Sequence, residues 1–205
     1  MAALLAVGCY PRLDGELHKT RLQSAPAEFM SAEQRREPRL VDVHGQEQRP
    51  FEESDARAIV LVFIIHDCPI ANSYIPALNR LYDSFAPRGI RFLLLQADPQ
   101  ITLEQAREHA QKYEIKVPVV LDAEHFWVNR AGATKSPQAV VLSPNGNILY
   151  SGRLDDQYAG LGKRRMQTTS HDLSDAIEAI LASRPIPRTN TEPIGCDIPG
   201  LSHGE

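Results

Sequence analysis

The chain has 205 residues, 42% of them apolar, enough for one domain with a buried core and some decoration. Its formal charge is −4, and its 22 basic residues are scattered apart from Lys163-Arg164-Arg165, a run read as a solvated loop. That balance excludes an electrostatic nucleic-acid binder, and no stretch approaches the ~18 apolar residues of a membrane-spanning helix. The three cysteines, Cys9, Cys68 and Cys196, do not make a disulfide framework, and no pair of them has zinc-finger spacing.

Residues 1–37 read as a lead-in. Their first nine form an apolar run ending in Ala-Val-Gly-Cys9. Small residues before a cysteine look like a bacterial lipoprotein cleavage box, which would make Cys9 a lipid anchor on an exported, periplasmic or membrane-attached protein. The run lacks a positive residue before it and is short for a signal peptide. Either the chain continues upstream of Met1, or the likeness is accidental and the protein is cytoplasmic with a stray thiol. Residues 10–37 are polar and irregular.

Order is expected from residue 38 to 184. Val41 and Val43 flank Asp42 ahead of His44-Gly45, the pattern of a β-hairpin. The run AIVLVFII (58–65) is apolar and β-branched, as in a strand covered on both faces. After Cys68-Pro69, residues Tyr74, Leu78, Leu81 and Phe85 recur at helical spacing, with a kink expected at Pro76 and a stop at Gly89. A second buried strand spans 90–98. An amphipathic helix with Thr102 as its N-cap follows. A short edge strand is expected over 117–122, then a short helix through AEHFWVNRAGA. QAVVLSPNGNILYSGRLDD reads as a hairpin turning at residues 144–147. A last helix covers 171–185, with Leu173, Ile177, Ile180 and Leu181 on one face. The tail from 185 to 205, rich in proline and glycine, is expected to form no regular element and to run over the surface. Strands joined by helices, then a hairpin, give an α/β fold. Its mixed sheet of four or five strands is flanked by helices, with irregular N- and C-terminal extensions. That outline is thioredoxin-like.

Cys68 sits between a buried strand and a helix, where free N–H groups and the helix dipole favour a thiolate. Pro69 suits the first helical position, since its missing N–H is not needed there. Ser136-Pro137 precedes the strand QAVVL. It is either an ordinary turn proline or, given the architecture, a cis-proline facing Cys68. A protonated His66 would stabilise the thiolate and Asp67 would oppose it. Alternatively His66, Cys68 and a remote Cys196 or His171 would hold a soft ion such as copper, or His66 is simply solvated. Asp155, Asp156 and Arg153 read as solvated residues that would otherwise bind a cation or steer a substrate.

The segment VLVFIIHDCPIANSYIPALNRLY, with Ser136-Pro137 and LSPNGNILYSG, is similar to redoxins of the AhpC/TSA type. This is the thioredoxin-like branch that includes peroxiredoxins and cytochrome-maturation thioredoxins. The resemblance implies a thiol-disulfide oxidoreductase acting on protein or small-molecule thiols and disulfides, with no organic cofactor. Cys68 would attack the substrate disulfide, while Pro69, Ser136 and Pro137 contact the substrate chain. Two departures qualify it. Ala71 replaces the second cysteine of a Cys-x-x-Cys pair. Ile65 stands where peroxiredoxins carry the Thr or Ser that helps hold peroxide, which leaves a peroxiredoxin-like antioxidant with weak peroxidase activity as the alternative. Tail cysteines that resolve an intermediate are established in redoxins, so the resemblance makes Cys196 the expected partner of Cys68, the alternatives being a free tail thiol or a bridge that is purely a structural staple. Gly195 before it would permit a tight turn.

Overall fold

The structure, a computed structural model, describes residues 39–52 and 55–201. The Cys9 reading lies outside those residues. In chain order the elements are β1 (Leu40–Val41), β2 (Glu47–Gln48), β3 (Ala58–Ile64), α1 (Pro69–Phe85), β4 (Ile90–Gln96), α2 (Leu103–Lys112), β5 (Val119–Leu121) and α3 (Phe126–Ala131). They continue with β6 (Lys135–Ser136), β7 (Gln138–Leu142), β8 (Ile148–Gly152), β9 (Tyr158–Gly160), β10 (Lys163–Arg164), α4 (Asp172–Leu181) and β11 (Cys196–Asp197).

The central sheet has the order β5-β4-β3-β7-β8. Strands β3, β4 and β5 run parallel, as right-handed βαβ crossovers require, and β7 and β8 add an antiparallel hairpin. All seven residues of β3 are buried, because the middle strand is covered on both faces. Helix α1 runs without a break through Pro76 and ends in a short 3₁₀ turn closed by Gly89 at φ 83°. Thr102 caps α2 in a full capping box with Gln105, each side chain bonding the other's backbone N–H. The expected edge strand is β5, and Trp127 of α3 is fully buried.

Three expectations need correction. The early hairpin forms, yet Val41 is exposed and Val43 fully buried. The strand ends at Val41, and the buried Asp42 carboxylate turns the chain by accepting from the His44 and Gln46 amides and the Gln48 side chain. Lys163-Arg164 is solvent-exposed as expected but pairs with β9 rather than forming a plain loop.

The third correction concerns the tail, which is ordered into the sheet system. Asn190 bridges Ser151 in parallel, with the Ser151 amide donating to the Thr189 carbonyl and the Thr191 amide to the Ser151 carbonyl, both at 3.0 Å. Farther on, β11 pairs antiparallel with β6. The prolines at 187, 193 and 199 bracket these paired residues instead of interrupting them, which is where an edge segment tolerates proline.

Candidate active site

Strand β3 delivers the chain to Cys68, which is the N-cap of α1 with extended backbone (φ −76°, ψ 111°). Its sulfur lies 3.5 Å from the Ala71 amide, so the first turn of the helix points an N–H at it. Pro69 occupies the first turn, where no acidic side chain stands. The Ser136 carbonyl, 3.1 Å away on the other side, opposes a negative charge. The Ser136–Pro137 bond is cis, and the Ser136 hydroxyl accepts from the Ile65 amide at 2.8 Å. That bond ties the cis-proline loop to the end of the strand leading into the cysteine.

Cys196 arrives from the tail. Its Cα lies 6.1 Å from that of Cys68, inside the roughly 4.4–6.8 Å span of disulfides, and the two sulfurs are at bonding distance. Register places Cys196 opposite Ser136 and Asp197 opposite Lys135, with Lys135 and Asp197 also ion-paired. The chain bends at Gly195 without a left-handed φ. Its role is spatial: a Cβ there would overlap the carbonyl oxygen and carbon of Ser136 and sit 3.0 Å from the Pro137 nitrogen.

Tail anchors stand on both sides of Cys196. Upstream, Arg188 and Arg153 share the buried Asp172 carboxylate at 2.8 and 2.7 Å. Thr191 joins the Tyr150 hydroxyl at 2.7 Å and accepts from the Arg153 amide at 3.1 Å. A Cβ on Gly152 would strike Thr191, so this close approach also depends on glycine. Downstream, Ile198 is buried and its amide donates to the Thr134 carbonyl at 3.1 Å.

His66 is half-buried and sits 3.6 Å from Asp98 through Nδ1. It also meets the His109 ring edge-on, with centroids 6.4 Å apart. A cleft of about 480 Å³ beside Cys68 is lined by His66, Pro69, Asn72, Glu108, His109 and Tyr113 among others. Sequence reasoning missed the chain of bonds behind that cleft. The buried His109 donates through Nε2 to Asn72 at 2.8 Å and accepts from Gln96 at Nδ1 at 3.1 Å. Asn72 in turn donates to the His66 carbonyl at 2.9 Å. This chain fixes the first turn of α1 to the loop before Cys68. Its only sequence signal was a histidine among the buried positions of α2.

Burial, reinforced by the charges of His66 and Lys112, pushes the His109 pKa down from 6.5 to about 4. His109 is therefore neutral in the fold above about 4, whereas the unfolded chain takes up this proton near 6.5. The unfolded state binds more protons between those values, so stability declines as pH falls from 6.5 to 4 and this contribution levels off below. The full shift is worth up to roughly 3 kcal/mol. Urea unfolding of His109→Gln across that window should show a shallower acid slope than the parent. Equal slopes would remove His109 from the account.

The acidic candidates have partners of their own. Asp156 is buried and binds the Thr169 hydroxyl and the Thr169 and Ser170 amides, which hold its carboxyl well below the usual range. Asp155 accepts from Tyr74 at 2.6 Å. Both carboxylates hold loops. Among the described residues no three His, Cys, Asp or Glu side chains are placed to share an ion, so the copper reading gains no support. The peroxide reading gains none either, since Ile65 contributes no hydroxyl and its amide is taken by Ser136.

A mixed sheet of this order, with an N-cap cysteine facing a cis-proline, defines a thioredoxin-like fold. The AhpC/TSA family model matches residues 35–151, more than half of the chain, and the protein belongs to that family. A hypothetical protein from Sinorhizobium meliloti 1021 superposes with a TM-score of 0.69 at 25% identity, covering 80% of this chain and 91% of that one. An uncharacterized conserved protein from Geobacillus kaustophilus gives 0.67 at 23% identity, covering 81% and 89%. The chain is also 22% identical over 121 residues to the thiol-disulfide oxidoreductase ResA of Halalkalibacterium halodurans. That match covers 58% of this chain and 66% of the relative, just under two thirds of its length.

Proposed function

We propose that the protein is a thiol-disulfide oxidoreductase whose redox couple is Cys68 and Cys196. The observation that carries this reading is their placement. One sulfur sits at a helix N-terminus beside a cis-proline, and the other reaches it on a tail anchored independently on both sides. A tail held in this way keeps Cys196 beside Cys68 whether or not the bond between them exists, as a reversible couple needs. The local Cys-x-x-Cys pair that Ala71 removes is thereby replaced by a remote one. The first turn of α1 points the Ala71 amide at the Cys68 sulfur. Cys68 is then the nucleophile of the internal step, attacking a mixed disulfide on Cys196 to close the pair. Similarity to a ResA protein supports the same chemistry.

In the net reaction two external thiols become one disulfide while the protein disulfide gains two electrons and two protons, or the reverse. No organic cofactor is needed. Such a pair suits an exported protein in an oxidising compartment, with protein or small-molecule thiols as partners. The test is equilibration in thiol-disulfide buffers of graded potential followed by peptide mapping. The Cys68–Cys196 link should open and close reversibly, and a pair that never forms in the folded protein would end this reading.

A further inference from the structure

The tail lies where an extended substrate chain would have to lie. Residues 195–198 run antiparallel to β6, opposite Ser136 and Lys135, and the Ile198 amide reaches on to Thr134. Ser136 and Pro137 are buried, so no second strand fits along this track while the tail is docked. Gly195 rests against the Ser136 carbonyl so closely that it excludes any side chain. Cys68 beneath is 1% exposed, whereas Cys196 is partly exposed and Asp197 beside it is exposed.

Two independent effects then select the same sulfur. Thiolates attack the disulfide sulfur that they can reach, and of the two residues only Cys196 has more than 1% of its surface exposed. Cleavage is also fastest when the departing sulfur is the better thiolate. A departing Cys68 sulfur is received by the N-terminus of α1, 3.5 Å from the Ala71 amide, with the Ser136 carbonyl 3.1 Å away opposing the charge.

We propose that external partners exchange at Cys196, with Cys68 as the covered leaving group. Those partners are small thiols and disulfides, not an extended polypeptide laid along β6. This rests on the reading of the pair as a redox couple, and it reverses the order expected from the sequence, in which Cys68 attacks and Cys196 resolves. In the reductive direction a thiolate RS⁻ attacks Cys196, forming a Cys196–S–S–R bond and releasing the Cys68 thiolate. A second RS⁻ attacks the R sulfur, giving RSSR and the Cys196 thiolate, and both protein thiolates take up the protons that the two thiols gave. In the oxidative direction the Cys196 thiolate attacks RSSR and releases RS⁻. Cys68 then attacks Cys196, closing the pair and releasing the second RS⁻.

The test compares single-cysteine variants of the full chain, Cys68→Ser and Cys196→Ser, reacting with the small disulfide dithiodipyridine under native conditions. Cys196 in the first should react roughly tenfold or more faster than Cys68 in the second, because Cys68 is covered. Adding Ile198→Ala to Cys196→Ser should loosen the tail and speed the reaction of Cys68. An independent reading uses the oxidised parent protein with glutathione and an alkylating quench. Mapping should find glutathione on Cys196 and the alkyl group on Cys68. A Cys68 that reacts as fast as Cys196, or carries the glutathione, overturns this proposal and leaves the redox couple standing in the opposite order. If glutathione neither opens the disulfide nor modifies either sulfur, the redox reading itself fails, and this proposal with it.

Discussion

Gly195→Ala should disconnect the tail from the site. The added Cβ would overlap the backbone of Ser136 and crowd the Pro137 nitrogen, and none of these atoms is the yielding end of a flexible side chain. The Ser136 carbonyl is further constrained because its own residue bonds Ile65 through the hydroxyl. The tail must therefore lift away, which breaks the register of Cys196 with Ser136 and carries its sulfur off Cys68. Overpacking of this kind costs about 1–3 kcal/mol, or roughly a 5- to 150-fold shift against pairing. Thiol counting at a fixed glutathione poise measures that shift directly. Pairing equal to that of the parent protein would mean that the close approach at Ser136 does not hold the tail.

Cys196→Ser should lower stability strongly, and only against the oxidised parent. The bond closes a loop across 128 positions, for which the chain-entropy model gives up to about 5 kcal/mol. The anchors at Arg188, Thr191 and Ile198 are present in both proteins, so the difference isolates the covalent link. Urea unfolding should show the variant matching the reduced parent, with both well below the oxidised parent. Equal midpoints for the variant and the oxidised parent would show that the bond adds nothing to stability.

Much of the fold could be read in the chain because its signals are local. The buried runs at 58–65 and 90–98, the Thr102 cap and the 144–147 turn each declare an element within a few residues, and the structure contains all of them. Cys68 stood out for the same reason, since the junction of an apolar strand and a helix starting at Pro69 is visible in sequence. The tail was harder. Its glycines and prolines report what the backbone tolerates, not which edge it meets, so β11 and the Asn190 bridge were not foreseen. Gly195 suggested a turn because glycine usually signals freedom of φ, while here it clears space for a carbonyl. The His109–Asn72–His66 chain joins three segments distant in sequence, and nothing in any one of them announces the others.

A working couple of Cys68 and Cys196 and a permanent staple differ in the midpoint potential of their disulfide, measured in the folded chain in glutathione buffers with mass mapping. For a working couple the midpoint is expected within the catalytic range, about −270 to −120 mV. A midpoint below about −300 mV, where structural disulfides resist the glutathione pool, would contradict it.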